Sequence, residues 1–278
     1  MKTGFFITAR LKSTRLKHKI LLNLNGKSVL DHVIERCKIT KGIDDVVLCT
    51  STNPEDSILF DFALKNQIKF YAGSENDVMD RLLSAALYYG FDSFLTITAD
   101  NPLFSIYTSQ LIAAWGKKEN FDFIFTKGIP VGCATTYIDV KALQISHAMK
   151  VESDTEIWGP FINRSDFFKI GELVLKNSPF MEEKRITCDY PEDYQFFRAV
   201  YSYFDKDYIP DIHEVFEVLI KNPDLWEINK KLTQRYLSKK ELNKINENFD
   251  KQAKFGKELA LKINKNLNPE LKKSEVFI

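Results

Sequence analysis

Between Ala9 and Lys19 the chain reads Ala-Arg-Leu-Lys-Ser-Thr-Arg-Leu-Lys-His-Lys, with five Lys or Arg residues and no acid. Arg presents a planar fork to phosphate oxygens, Lys a compact charge, and Ser and Thr short donors, so this run has the chemistry of a polyanion site. A solvated, charged surface loop is the competing reading. Two carboxylates lie far downstream. Asp100 ends the apolar run Phe94-Leu95-Thr96-Ile97-Thr98-Ala99 and precedes Asn101-Pro102. Asp189 follows Arg185-Ile186-Thr187-Cys188 and precedes Tyr190-Pro191. A carboxylate at a strand's carboxyl end can hold Mg²⁺, whose octahedral shell takes one or two protein carboxylates plus phosphates and water. Either Asp alone is equally a helix cap or a turn residue. The recurrence is the sharper signal, because two such carboxylates can meet across a sheet edge and hold one metal.

Some familiar phosphate motifs are missing. Gly26-Lys27-Ser28 resembles the end of a P-loop, but Leu21 stands where that motif needs its first Gly. No G-x-G-x-x-G follows the first apolar run, which removes the main support for hydride transfer on a dinucleotide.

The elements that must position these residues show in the apolar pattern. Up to about Thr126, short apolar runs alternate with amphipathic stretches, the mark of βα units feeding an open, mostly parallel sheet. The expected strands are Gly4 to Ala9, Asp45 to Thr50, Ile68 to Ala72, Ser93 to Thr98 and Phe121 to Thr126. Val29, Leu30, Val33, Ile34 and Cys37 share one helical face, as do Val78, Leu82, Ala85, Ala86 and Tyr89. In such a sheet, ligands dock beyond the carboxyl ends of the strands, where the basic run leaves the first one. From Pro130 to about Lys184 the rhythm loosens into an expected excursion from the main sheet, with a strand at Cys133 to Ile138 and a helix at Val140 to Met149. A further strand is expected at Arg185 to Cys188. Residues 1–206 are read as one domain and 207–278 as a helical extension, in which Leu242, Ile245 and Phe249, then Leu259, Ile263 and Leu267, fall at helical spacing.

Composition narrows the classes. The 278 residues carry 39 Lys and Arg against 38 Asp and Glu, a net charge of +1, so no global field favours nucleic acid or an anionic membrane. Cys37, Cys49, Cys133 and Cys188 form no C-x-x-C pair and stand apart from the histidines, which argues against zinc. No segment approaches the about 20 apolar residues of a membrane span. The expectation is a cytoplasmic protein with reduced thiols, no nucleic-acid partner and no membrane insertion.

The A-R-x-x-S-T-R-L-x-x-K opening, the strand ending in Asp100-Asn101-Pro102-Leu103 and the element Asp189 to Tyr194 together resemble the cytidylyltransferases of the spore-coat polysaccharide biosynthesis family. That family is similar in turn to the enzymes that activate 3-deoxy-octulosonate and acylneuraminate with CTP. Thr50 to Asp56 and Gly73 to Val78 share the resemblance, which covers roughly residues 4 to 204. It implies the nucleotide-diphospho-sugar transferase fold. By matched position, Arg10, Arg15 and Lys19 contact the phosphates of CTP, Ala9 and Leu11 offer backbone near the base, and Ser74, Asp77 and Arg81 line the nucleotide pocket. Asp100 and Asp189 match metal-binding aspartates, with Mg²⁺ as the expected ion, and Arg15, Lys19 and Asp100 are the expected catalytic residues. A homodimer is a further family-level expectation.

The chain departs from the family at two places. Leu16-Lys17-His18-Lys19 stands where Leu-Pro-Gly-Lys is common, and the middle region around Gly132 to Tyr137 lacks the usual acidic residues. Tyr137, Trp158 and Arg164 are the acceptor-site candidates there. The implied reaction is transfer of CMP from CTP to an acidic sugar, a sugar phosphate or a phosphorylated small metabolite, with release of pyrophosphate, in surface-polysaccharide biosynthesis or capsule modification. A nucleotidyltransferase using GTP or UTP with a sugar 1-phosphate is the alternative enzyme, and a nucleotide-binding protein without turnover the alternative class.

Overall fold

The computed structural model describes residues 1–178 and 184–277. Its strands are β1 (Thr3–Thr8), β2 (Asn23–Leu24), β3 (Lys27–Ser28), β4 (Asp45–Ser51), β5 (Lys69–Gly73), β6 (Ser93–Thr98), β7 (Phe123–Lys127), β8 (Thr136–Asp139), β9 (Lys169–Lys176) and β10 (Glu270–Phe277). Its helices are α1 (Val29–Ile39), α2 (Leu59–Lys65), α3 (Val78–Tyr89), α4 (Ile106–Glu119), α5 (Val140–Met149), α6 (Gly159–Ile162), α7 (Pro191–Tyr201), α8 (Ile212–Lys221) and α9 (Lys239–Lys262). Eight strands form one sheet in the order β10-β9-β7-β8-β6-β1-β4-β5, and β2 and β3 make a small hairpin. All pairings in the large sheet are parallel except those of β8, which runs against both β6 and β7.

The central strands are apolar throughout because both sheet faces are covered, and alternate side chains serve two cores. Phe5 and Ile7 of β1 join α1, α2, α4, α7 and α8, whereas Phe6 joins α3, α5, α6 and α9. Helix starts follow their caps: Ser28 and Asp31 form a reciprocal capping box at α1, and Asp77 caps α3. Helix α9 lies close on α5 because residue 256 is glycine; a Cβ there would sit 2.2 Å from Met149 Sδ.

The alternating pattern up to Thr126 is realised as β1, β4, β5, β6 and β7 with shifts of one or two residues, and α5 spans the expected residues. Three expectations are corrected. First, the region from Pro130 to Lys184 is not an excursion: β8 and β9 both lie inside the main sheet, which the loosened polarity of their flanking loops concealed. Residues 179–183 of that span lie outside the described residues. Second, Arg185 to Cys188 makes no strand, only an isolated bridge between Arg185 and Val131. Third, the 207–278 extension is not helical to its end. Helix α9 stops at Lys262, Leu267 packs on the α5 side of the sheet from a loop, and β10 adds a parallel strand beside β9. Residue 278 lies outside the described residues.

Candidate active site

Strand β1 ends at Thr8, and residues 9–18 run as a loop across the carboxyl ends of the parallel strands. The loop closes in a short 3₁₀ turn over Lys19–Leu21, with His18 left-handed at φ 50°. His18 occupies the place where glycine is common in the resembling sequences, and its backbone takes the conformation glycine adopts at no steric cost.

Asp100 and Asp189 come together here although 88 residues separate them in the chain. The Cys188 N–H donates to the Asp100 carbonyl at 2.9 Å, so backbone joins the two segments directly. Gly132 makes room for this join. At φ +92° it lies so close that a Cβ would meet the Ile186 carbonyl oxygen at 2.1 Å and Asn101 Oδ1 at 2.7 Å.

The carboxylates face one cation. Lys19 Nζ donates to Asp100 Oδ2 and, at 2.7 Å, to Asp189 Oδ1. Arg15 Nη2 donates to the same Asp189 oxygen at 3.0 Å, and its guanidinium lies 4.8 Å from the centre of the Tyr190 ring. Thr98 Oγ1 donates to Asp100 Oδ1 at 2.5 Å. Burial works against the charge on Lys19, but Asp100 and Asp189 outweigh it and hold the ammonium well above the ordinary lysine range. Burial likewise opposes the Asp189 carboxylate, and Lys19, Arg15 and Arg185 together pull it below the usual aspartate range. The hydrogen bond with Tyr190 chiefly raises Arg15.

Beneath Asp189 lies a polar foundation that motif reasoning missed. Arg185 Nη2 donates to Asp189 Oδ2 at 3.1 Å and to Asp193 Oδ2 at 2.9 Å. Asp193 is fully buried and also accepts from the Asp189 N–H, the Tyr190 N–H and Asn229 Nδ2. Arg185 and Asp193 stand four residues either side of Asp189, a spacing visible in the sequence; nothing local points to Asn229. Tyr190 was likewise legible only as a neighbour of Asp189.

Placement of the other predicted residues is mixed. Arg10 reaches the loop before α3, donating to the Glu75 carbonyl at 2.9 Å and pairing with Glu156 at 3.7 Å. Ser74 is held there through its carbonyl, which accepts from Arg81 Nη1 at 2.7 Å, and its hydroxyl accepts from the Asp77 N–H. Arg81 is almost fully buried, its charge opposed by desolvation, and it supports this loop from below. Asp77 is absorbed in structure, capping α3 and accepting from Lys150 Nζ and Thr155 Oγ1. The Ala9 N–H is bound by the Cys49 carbonyl, and the Leu11 N–H by the buried Asp56 carboxylate, which also accepts from Ser51. Among the described residues both N–H groups are thus taken, which leaves the carbonyls of Ala9 and Leu11 for a base.

One acceptor candidate is corrected. Tyr137 is 1% exposed, and its ring lies against Gly116 of α4, where a Cβ would come within 2.7 Å of it, so it fills the core under the sheet. Arg164 ties a loop to α9 through Asp166 and Asp250 and lies over the Phe249 ring. Trp158, the third, packs edge-on against Phe123, 6.2 Å between ring centres, on the α5 side of the sheet.

Asp100 and Asp189 suit a hard cation by their chemistry. One oxygen of each already contacts a single atom, Lys19 Nζ, so one ion can bridge both, and the remaining ligands would come from phosphate and water. Among the described residues no group of three or more His, Cys, Asp or Glu converges as a closed metal cage.

An open, mostly parallel α/β sheet with a basic loop and paired carboxylates at its carboxyl edge defines a nucleotidyltransferase-like protein. The cytidylyltransferase family profile matches residues 5–207, and the chain belongs to that family of CTP-dependent nucleotidyltransferases. It is 31% identical to an uncharacterised protein of Methanocaldococcus jannaschii over 84% of this chain and 97% of the relative. It is 25% identical to the spore coat polysaccharide biosynthesis protein SpsF of Bacillus subtilis over 79% and 95%. A solved cytidylyltransferase from Leptospira borgpetersenii superimposes with a TM-score of 0.74 at 26% identity, covering 85% of this chain and all of that one.

Proposed function

We propose that the enzyme transfers CMP from CTP to a small anionic acceptor, an acidic sugar or a phosphorylated metabolite, for surface-polysaccharide biosynthesis or modification. The observation that carries this reading is the pair Asp100 and Asp189, bridged by Lys19 and met by Arg15 of the basic loop. An acceptor oxygen attacks the α-phosphorus in line; the new oxygen–phosphorus bond forms as the bond to the bridging oxygen breaks, and pyrophosphate leaves with that electron pair. An acceptor already ionised at its attacking oxygen needs no general base.

The work of the site is then alignment and charge neutralisation between two anions. Asp100 and Asp189 would hold Mg²⁺, which when bound stabilises charge on the phosphate oxygens. Lys19, with Arg15 beside it, would be free to meet the phosphates of a bound nucleotide were the carboxylates to hold an ion instead. Arg185 and Asp193 fix Asp189 in place. Arg10 spans from the phosphate loop to Glu75 and Glu156, so the loop over residues 152–158 is the favoured boundary of the acceptor pocket.

Incubation of the protein with each of the four nucleoside triphosphates, Mg²⁺ and a panel of acidic sugars and phosphorylated metabolites tests the reading. Pyrophosphate release with CTP and an acceptor-CMP mass are expected. Release confined to GTP or UTP, or nucleotide binding without pyrophosphate release against the whole panel, would overturn it.

A further inference from the structure

Strand β10 ends the sheet and, among the described residues, pairs only with β9. The Glu270 N–H donates to the Phe168 carbonyl at 3.2 Å, which turns the backbone groups of even-numbered residues toward β9. The N–H and C=O groups of Leu271, Lys273, Glu275 and Phe277 therefore point outward. Such an edge is a template for another strand unless proline, a bulge, a covering element or unpaired charge, lysine above all, blunts it, and here Lys272 and Lys273 are already paired with Glu119 and Glu172. The strand contains no Pro or Gly, and Leu271 and Phe277 are 47% and 68% exposed.

We propose that β10 pairs antiparallel with β10 of a second copy of this chain, about a two-fold axis at Ser274, joining two eight-stranded sheets into one. A two-fold normal to the sheet keeps like faces together, so outward residues meet outward residues. Side chains then choose among registers. An axis at residue 273 sets Lys273 against itself, and an axis at 275 sets Glu275 against itself; both place like charges directly opposite. The axis at Ser274 sets Lys273 opposite the partner's Glu275 and Leu271 opposite the partner's Phe277, each twice by symmetry.

Within one chain Lys273 lies 3.5 Å from Glu172 and Glu275 lies 3.1 Å from Lys176. The proposed register extends these pairs into a row of alternating sign across the seam: Glu172, Lys273, the partner's Glu275, the partner's Lys176. All four outward residues become narrow pairs that exchange two hydrogen bonds each, about eight across the seam. On the other face Ser274 and Val276 border an apolar groove with Leu111, Trp115 and Leu173, which the second copy would prolong.

The test uses the whole chain. Light scattering and sedimentation over a micromolar concentration series should give a dimer. Glu275→Pro removes an outward N–H while sparing the ladder to β9, so it should weaken the dimer about tenfold or more with the melting temperature of the monomer little changed. Ser274→Cys should form a disulfide-linked dimer on mild oxidation, since the native cysteines are buried. Lys272→Cys should not, because symmetry sets its two copies about 13 Å apart along the strands. A monomer throughout the series, a dimer indifferent to Glu275→Pro, or cross-linking at 272 in place of 274 would each overturn the proposal.

Discussion

Replacing Lys19 by Met removes the ammonium from between Asp100 and Asp189 while keeping an unbranched side chain of similar length. Both carboxylates bond Nζ, so their facing oxygens lie within about 5 Å of each other. Two unit charges at that distance repel by about 3 kcal/mol at an effective dielectric constant near 20. That repulsion favours a proton on one of the pair in the variant. The pH dependence of stability should therefore change sign. In the native protein Asp189 is held below its unfolded value, so its contribution is present above pH 4 or so and is lost as pH falls through the depressed value. In Lys19→Met one carboxylate binds its proton more tightly when folded, so the variant is least stable at neutral pH. It should recover up to about 3 kcal/mol as pH falls from 7 toward 4. Thermal melts of both proteins across that range read the effect, and divalent-ion titration without nucleotide provides a second measure, because the variant has lost the competitor for the carboxylates and should bind Mn²⁺ more tightly. Parallel pH profiles together with unchanged ion affinity would refute the picture of Lys19 as the resident counter-ion.

Asp100→Asn and Arg15→Ala should each lower CTP turnover by roughly 10² to 10³ while the melting temperature stays near the native value, since each removes one preorganised charge. Asp193→Ala leaves Arg185 buried beside a lost carboxylate and orphans two backbone N–H groups; a loss of about 3 to 5 kcal/mol is expected in denaturant unfolding, with turnover falling as Asp189 is released. His18→Gly relieves a left-handed non-glycine residue and should stabilise the fold by about 1 kcal/mol, visible as a higher melting temperature. Gly132→Ala should destabilise by clashing with the Ile186 carbonyl, and it should lower turnover by parting Asp100 from Asp189; a well-folded, fully active variant would contradict the role given to that close approach.

Much of this was present in the local pattern. Alternating apolar runs determined β1, β4 and β6, because strands buried on both faces must be apolar along their length. The basic run after β1 and the two Asp-before-Pro turns marked the site, since charge and turn chemistry are properties of a few adjacent residues. Tyr137 misled the reading because a Tyr in an apolar strand can face either way, and only the packing against Gly116 showed which. Arg164 was half legible, since Asp166 stands two residues on, but its second partner, Asp250 of α9, lies more than 80 residues away.

What tertiary structure alone decided was where distant segments meet. The bond from the Cys188 N–H to the Asp100 carbonyl, the glycine gap at 132, and the reach of Asn229 to Asp193 join residues with no common local signal. The same holds for β10, which the sequence reading placed in a helical extension and which becomes a strand because β9 supplies the register. Periodicity reports which face of an element is buried; which element covers that face depends on the whole chain's packing.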